Sequence, residues 1–259
     1  MTYNIRYNNA GDGINQWTNR KQKVTEVISK FNPDIFGVQE ALKDQVDDLS
    51  NQFTDFDVES VGRDDGHKAG EHSAIFFNKK KFLIMDGKTF WLSPTPDSAG
   101  SVGWDAAITR ICTWVMLKEI SSEKIFFVFN THFDHMGTVA REKSAELIKS
   151  KAIEIAGDFP LFIMGDFNSE PDETPYKIMT SAEPFQLFDT YFSARENKAG
   201  AICTFTGFEV NGKICKRIDY IFTDKNFSVS DYFIFHDNDG TYFPSDHLPV
   251  AAIVNLLGK

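Results

Sequence analysis

Seven ionisable or amide side chains of this protein each lie at or beside the end of an apolar run in the sequence. They are Glu40, His132, Asp166, Asn168, Asp219, Asp246 and His247. Carboxylates and amides supply the hard oxygen ligands that Mg²⁺ and Mn²⁺ prefer. With a cation to neutralise phosphoryl charge, an aspartate to activate water and a histidine to stabilise the leaving group, such a set can hydrolyse a phosphate ester.

The residues that other common hydrolytic chemistries need do not occur in the required patterns. The sequence contains no HExxH motif, no GxSxG nucleophile elbow and no Walker loop. Cys112, Cys203 and Cys215 show no CxxC spacing, so a tetrahedral zinc site is not expected. Because the cysteines are few and odd in number, they are predicted to be free thiols in or near the core rather than a disulfide framework.

The apolar pattern around these side chains predicts the elements that position them. Runs of strand length occur at 35–38 and 161–164, and apolar residues recur at helical spacing in 24–31 and 139–157. This alternation indicates an α/β fold with mixed sheets and outer helices. Polar residues gathered at strand ends are how such folds build active sites. The aromatic, turn-rich segment 89–104 is interpreted as a surface loop with a packed aromatic residue, with a substrate-shaping role as the alternative.

Length and composition indicate one domain and limit its partners. The 259 residues contain no linker, long charge block or repeat, so a single domain over 1–259 is expected. The net charge of −10 disfavours long duplex DNA as a partner, because phosphate contacts favour basic proteins. No apolar stretch is long enough to span a membrane. We expect a soluble monomer, cytoplasmic or exported with a leader missing from this chain, since a strand already starts near residue 1.

Six segments resemble, in the same order, the successive motifs of the endonuclease/exonuclease/phosphatase superfamily: "MTYNIR", "VQE", "NTHFDH", "MGDFNSEP", "RIDYIF" and "SDHLPV". The resemblance spans nearly the whole chain. It implies a four-layer α/β/β/α sandwich, in which two packed mixed β-sheets are flanked by helices. It also implies a phosphoesterase that depends on Mg²⁺ or Mn²⁺, although it leaves open whether one or two metal ions are bound.

The resemblance also implies roles for individual residues. Glu40 is the expected main metal ligand, with Asn4 and Asp246 in or near the metal sphere. Asp166 is expected to position and activate the attacking water, and Asn168 to hold Asp166 or the phosphate.

The remaining implied roles concern the phosphate group itself. His247 is expected to touch the scissile phosphate and Asp219 to orient it through the other ring nitrogen, while His132 is the second phosphate-facing histidine. Arg63 and Arg110 match, more loosely, the phosphate-contacting arginines of the secreted deoxyribonucleases.

Glu71 is implied to pair with His132. The expectation is a Glu71 carboxylate oxygen within about 3 Å of a His132 ring nitrogen, in a hydrogen bond that raises the pKa of His132.

The resemblance narrows the substrate without identifying it. Lys216-Arg217-Ile218-Asp219 departs from the Trp-Cys-Asp-Arg run of inositol polyphosphate 5-phosphatases, which disfavours that subfamily. "GDFNSEPDETPY" is most similar to nocturnin-like deadenylases and uncharacterised bacterial relatives. The open alternatives are a nuclease or deadenylase acting on single-stranded nucleic acid, a lipid phosphodiesterase and a phosphatase of small phosphates. A non-catalytic binding module on the same fold is a further alternative, which the complete set of acid and base residues disfavours.

Overall fold

A computed structural model describes residues 1–195, 197–199, 202–210 and 212–257. The strands are β1 Thr2–Asn4, β2 Ile35–Ala41, β3 Phe56–Glu59, β4 His72–Asn78, β5 Phe82–Trp91, β6 Ile111–Glu119, β7 Ile125–His132, β8 Leu161–Asp166, β9 Phe188–Asp189, β10 Asn197–Ala199, β11 Asp219–Thr223, β12 Phe227–Ile234 and β13 Val250–Leu256. The α-helices are α1 Trp17–Phe31, α2 Lys43–Gln52, α3 Thr138–Ala156, α4 Thr174–Met179 and α5 Thr190–Ser193. A 3₁₀ helix spans Ala10–Asn15.

The strands form two mixed sheets. The first has the order β10-β12-β13-β1-β2-β4-β3, and the second has the order β5-β6-β7-β8-β11-β9. Each sheet contains a parallel pair near its centre, β1 with β2 and β7 with β8, while the neighbouring strands run antiparallel to these pairs.

The two faces of each strand enter different apolar layers, as a side-chain period of two requires. In β8, Phe162 and Met164 pack in the core between the sheets, whereas Ile163 packs beneath α3. On the other side of the molecule, Val24 of α1 and Leu49 of α2 cover the outer face of the first sheet. The layers are therefore helix, sheet, sheet and helix, which confirms the predicted fold.

This topology brings the chemically active strand ends to one edge of the sandwich. The parallel strands β7 and β8 end side by side, with His132 opposite Asp166. Strand β11 runs antiparallel to β8, so its first residue, Asp219, also lies opposite Asp166. In the first sheet β1 ends at Asn4, and the antiparallel β13 begins close to the same edge.

A buried polar network joins the two sheets beneath this edge. Asn130 of β7 donates from Nδ2 to the backbone oxygens of Val38 and Ala74, at 3.0 and 2.9 Å. Its Oδ1 accepts a hydrogen bond of 2.6 Å from Gln39, which also donates to the Thr2 hydroxyl at 2.9 Å. Because buried polar groups are costly unless satisfied, this network favours one alignment of the sheets over others.

Two expectations about local structure need correction. Segment 89–104 is not wholly a surface loop, since residues 89–91 complete β5 and the side chains of Phe90 and Trp91 are buried. Cys203 and Cys215 form a disulfide, with Cα atoms 4.9 Å apart, and only Cys112 is a buried free thiol. The two partners lie in a hairpin that the sequence pattern did not reveal, so cysteine number alone was a poor guide.

Candidate active site

Asp166 lies at the centre of the candidate site. Because Gly165, the residue before it, has no side chain, β8 can approach β7 closely: a Cβ atom there would lie 2.1 Å from the Thr131 backbone oxygen. The φ of Gly165 is +150°. This approach places the Asp166 carboxylate, 1% exposed, at the edge of the second sheet.

Four groups surround the Asp166 carboxylate. Its Oδ1 accepts a 2.9 Å hydrogen bond from the Asn168 backbone N–H, and its Oδ2 accepts one of 2.9 Å from Asn4 Nδ2. The same Oδ2 lies 3.3 Å from His132 Nε2 and 3.6 Å from His247 Nε2. Burial, with the nearby Asp219 carboxylate, raises the pKa of Asp166, although His247 opposes that rise. Asp166 is thus a carboxylate of increased basicity between two imidazoles.

Asn168 turns the chain at the mouth of the site. Its φ is +45°, a conformation that asparagine tolerates better than most residues. The turn lets its backbone reach Asp166 while its Nδ2 lies 3.1 Å from His132 Nε2 and donates to the Phe133 backbone oxygen at 3.0 Å. A single residue therefore links the central carboxylate to one histidine.

His247 is held among carboxylates. Its Nδ1 donates to Asp219 Oδ2 at 2.9 Å, so Nε2 is left facing Asp166. Burial alone would lower the pKa of His247, but the Asp219 and Asp166 carboxylates raise that pKa well above its usual value. His247 is accordingly an imidazolium at neutral pH.

His132 occupies the opposite electrostatic environment. Burial and the guanidinium groups of Arg110 and Arg63 lower the pKa of His132 well below its usual value. Its Nε2 lies 3.1 Å from the amide Nδ2 of Asn168, a contact that favours the tautomer with the proton on Nδ1, and Nδ1 has no hydrogen-bond partner among the described residues. His132 is therefore neutral, and its free N–H lies in a small cavity.

The expectation for Glu71 is wrong in its geometry and in its consequence. Glu71 Oε2 lies 4.0 Å from His132 Nδ1, too far for a hydrogen bond, and instead pairs with Arg63 Nη1 at 2.6 Å. The pKa of His132 is lowered rather than raised, because burial and the guanidinium groups of Arg110 and Arg63 disfavour the charged ring. Glu71 holds the arginine that faces the histidine, and does not hold the histidine itself.

The small cavity beside His132 is lined by arginine and histidine side chains. Arg63 and Arg110 line it, together with Glu40, Glu71 and His132. Among the described residues, Arg110 Nη1 and His132 Nδ1 are buried without a hydrogen-bond partner, and Arg110 Nη1 lies 4.0 Å from Glu71 Oε2. Buried guanidinium and imidazole donors that line one cavity suit an oxyanion.

Sequence reasoning missed Asp134, which organises this side of the site. Its Oδ1 accepts from the backbone N–H groups of Met136 and Gly137, at 2.9 and 2.7 Å, just before α3. Its Oδ2 accepts from the Ala107 N–H at 3.2 Å and lies 3.6 Å from Arg110 Nε. The single carboxylate in "NTHFDH", two residues after the end of β7, was the available signal.

Glu40, Asn4 and Asp246 form the side of the site contributed by the first sheet. Glu40 has a φ of +62° at a register shift in β2, a strained conformation of the kind found at functional sites. Asn4 Nδ2 lies 3.1 Å from Glu40 Oε1, and the Tyr7 N–H donates to Oε2 at 3.2 Å. Burial and the Glu40 carboxylate raise the pKa of Asp246. His247, Arg6 and Arg20 oppose this rise. Carboxylate and amide oxygens grouped in this way suit a divalent cation.

A second group could in principle hold a cation, since ligand atoms of Asp166, Asp219 and His247 lie within 4.8 Å of one another. However, His247 Nδ1 and Asp219 Oδ2 are already bonded to each other. Two candidate donor sets therefore lie at this edge, one around Glu40 and one around Asp166.

Taken together, an activated carboxylate, an imidazolium, an arginine-lined cavity and an oxygen donor set define a hydrolase of phosphate esters. Residues 1–247 match the sequence profile of the Endonuclease/Exonuclease/phosphatase family, and the chain belongs to that family. The predicted membership and enzyme class are thereby confirmed.

Solved structures of similar proteins support the same conclusion. An endonuclease/exonuclease/phosphatase from Bacteroides vulgatus is 40% identical with a TM-score of 0.94, over 98% of this chain and 97% of that chain. A mannosyl-6-phosphatase from Bacteroides thetaiotaomicron is 34% identical with a TM-score of 0.91, over 98% of both chains. The human nocturnin catalytic domain, 20% identical with a TM-score of 0.76 over 98% and 91%, shares the fold.

Curated relatives are more distant. Drosophila melanogaster nocturnin is 24% identical over 93% of this chain, which spans only 42% of that protein. An uncharacterised protein of Acanthamoeba polyphaga mimivirus, L388, is 25% identical over 93% of this chain and 92% of its own length. In the part of the chain that the structure describes, no helix is long and apolar enough to cross a bilayer.

Proposed function

We propose that this chain is a Mg²⁺-dependent phosphatase that removes a phosphate group from a phosphorylated sugar by direct attack of water. The observation that carries the hydrolytic part is the Asp166 carboxylate, buried and in contact with Asn4, Asn168 and both imidazoles. A single domain over 1–259 performs the reaction.

Asp166 orients the water and takes its proton, as its raised pKa favours. Asn168 keeps the carboxylate in place through its backbone N–H. His247, an imidazolium whose tautomer Asp219 maintains, stabilises the negative charge that develops on the phosphoryl oxygens.

On the other side, neutral His132 offers its Nδ1–H to the phosphate group, beside the arginine-lined cavity. Arg63 and Arg110 add the donors that recognise a phosphate oxygen. Arg110 is itself held between Asp134 and His135, at 3.6 and 3.1 Å, so its guanidinium is oriented before substrate arrives.

Glu40 is the main residue that would hold the cation, with Asn4 and Asp246 beside it. A bound Mg²⁺ supplies Lewis-acid neutralisation of phosphoryl charge. The raised pKa of Asp246 and the all-oxygen donors support this assignment. Mn²⁺ suits the same ligands.

A sugar phosphate is the preferred substrate because the mannosyl-6-phosphatase of Bacteroides thetaiotaomicron is 34% identical across almost the whole chain. The net charge of −10 also disfavours long nucleic acids. The second candidate is a deadenylase acting on single-stranded RNA, which the likeness to Drosophila nocturnin favours.

One substrate panel separates the two candidates. Purified protein with Mg²⁺ is tested on mannose 6-phosphate, glucose 6-phosphate, oligo(A) and sphingomyelin, with release of phosphate or shortened product as the readout. The proposal expects kcat/KM to be highest on a sugar phosphate. Efficient shortening of oligo(A) with no release from sugar phosphates would establish the second candidate instead.

The metal assignment has its own test. Glu40→Gln removes one charge from the donor set with little change of shape, so Mg²⁺ affinity measured by calorimetry should fall. The apo protein should melt at nearly the wild-type temperature. Full hydrolysis by the wild-type protein in excess chelator would refute the metal requirement.

A further inference from the structure

The disulfide closes a hairpin that contacts Asp219 and His247. Cys203 and Cys215 close it, and the backbone of Phe205 pairs with Lys216, with N···O distances of 2.9 and 3.2 Å. The segment 203–207 lies directly between the strand that begins at Asp219 and the chain around His247. The disulfide is thus adjacent in sequence to hairpin residues that contact both Asp219 and His247.

Thr204 is the main contact on the Asp219 side. Its hydroxyl, fully buried, accepts hydrogen bonds from the backbone N–H groups of Ile218 and Asp219, at 2.9 and 3.1 Å. One oxygen therefore satisfies two donors at the start of β11. Since Asp219 is the first residue of that strand, these bonds set the position of its carboxylate.

The same hairpin holds the His247 side. The Leu248 N–H donates to the Thr204 backbone oxygen at 2.6 Å, and the Thr206 N–H donates to the Asp246 backbone oxygen at 2.8 Å. The ring of Phe205 packs edge-on against the His247 ring, with centroids 4.9 Å apart. Both members of the pair thus take their positions from three consecutive hairpin residues.

We propose that Thr204 is a positioning residue for the Asp219–His247 pair, and that the Cys203–Cys215 disulfide keeps it in register so that reduction by a dithiol lowers turnover. The proposal rests on the function proposed for the pair above.

The redox step needs only a reductant of the dithiol class. A thiolate of the dithiol attacks one cysteine sulfur, the Cys203–Cys215 bond breaks, and the second thiol of the reductant resolves the mixed disulfide. The protein gains two electrons and two protons as two thiols, and the dithiol becomes a cyclic disulfide. The hairpin is then closed by its backbone hydrogen bonds alone.

Thr204→Val tests the positioning role, because it keeps the shape and leaves the Ile218 and Asp219 N–H groups without an acceptor. We expect kcat to fall between about 10-fold and about 100-fold, with KM changed much less, since a small displacement of catalytic groups is costly. Thr204→Ser, which restores the oxygen, should recover most of kcat. Thr223→Val, a buried threonine at the other end of β11, is the matched control and should leave kcat nearly unchanged.

Dithiothreitol tests the disulfide in the full-length wild-type protein. Iodoacetamide should label Cys203 and Cys215 only after reduction, and kcat should fall with reduction and return on reoxidation. A Cys203→Ser/Cys215→Ser double variant should have the reduced kcat and no response to dithiothreitol. Circular dichroism is recorded alongside each assay.

The outcomes separate this proposal from the function beneath it. If the wild-type protein hydrolyses no phosphate ester, the proposed function fails. If it does so, but kcat is the same in the reduced protein and in Thr204→Val, only the hairpin proposal is overturned. Labelling of both cysteines before reduction, or loss of the fold together with kcat, would also overturn it.

Discussion

The two histidines of the site lie on either side of one carboxylate, yet their surroundings give them opposite charge. His247 Nδ1 bonds Asp219, and neighbouring carboxylates raise its pKa. His132 Nε2 faces Asn168, and burial and two arginines lower its pKa. The same side chain can thus favour its charged or its neutral form, depending on the residues that pack around it.

The difference separates the work of the two sides. A cationic His247 can stabilise the negative charge that develops on the phosphoryl oxygens. A neutral His132 donates a hydrogen bond to the phosphate, while the two arginines supply the positive charge on that side. When the surroundings of two titratable groups shift their pKa values in opposite directions, the two groups commonly take separate catalytic roles. We therefore consider substitutions first of Asp166, between the two histidines, and then of residues on each side.

The largest effect is expected from Asp166→Asn, which removes the carboxylate that both imidazoles contact. We expect kcat to fall about 10²–10⁴-fold while KM changes little, because the base is lost and the shape is kept. Steady-state kinetics on a phosphomonoester measure both constants. Near-normal turnover would exclude Asp166 as the group that activates water.

On the carboxylate side of the site, Asp219→Asn and His247→Gln are each expected to lower kcat about 10²-fold. Because Asp219 acts through His247, the double variant should be little worse than either single one. A double-mutant cycle in kcat measures this coupling. Losses that multiply would mean that the two residues work independently.

The arginine side is tested by Arg110→Gln, which removes a guanidinium near His132. KM should rise about 10-fold through the lost phosphate contact, with a smaller change in kcat. Removing this positive charge should also raise the pKa of His132, as measured by NMR titration of its ring protons. Glu71→Gln is a useful comparison, since it should change the His132 pKa in the opposite direction.

The smallest effect concerns stability. The pKa of His247 rises on folding, so its contribution to the free energy of unfolding is fully present below about pH 6.5 and is lost as pH rises through the folded pKa. The pKa of His132 falls on folding, so its contribution is present above about pH 6.5 and is lost as pH falls. The two pH dependences therefore have opposite sign.

Urea unfolding in the presence of chelator measures both dependences. The wild type is compared with His247→Gln and with His132→Gln across the neutral range. The difference in unfolding free energy should shrink with rising pH for the first variant and with falling pH for the second. Two differences with the same slope would contradict the opposite charge states.

Sequence patterns predicted most of the elements that carry the site. The apolar run 161–164 lies in strand β8, whose last residue is Asp166, and the helix predicted at 139–157 is found as Thr138–Ala156. Strands β3 and β5 were not anticipated, because their alternation is irregular and several of their residues are exposed.

The partners of the site residues were harder to predict. Glu71 was assigned to His132, but it pairs with Arg63, and the pairing Cys203–Cys215 was not expected. Asp134 lies two residues after the predicted site histidine His132 and was overlooked. In each case the missing information was a distance between residues far apart along the chain or across a turn.

The sequence by itself determined which residue types stand at the strand ends, because strand periodicity and the placement of polar residues are local properties of the chain. Only the tertiary structure decided the charge of the two histidines. Their pKa values depend on burial and on carboxylates and guanidiniums contributed by other strands and loops. Such distances are set by sheet order and packing, which the local pattern does not encode.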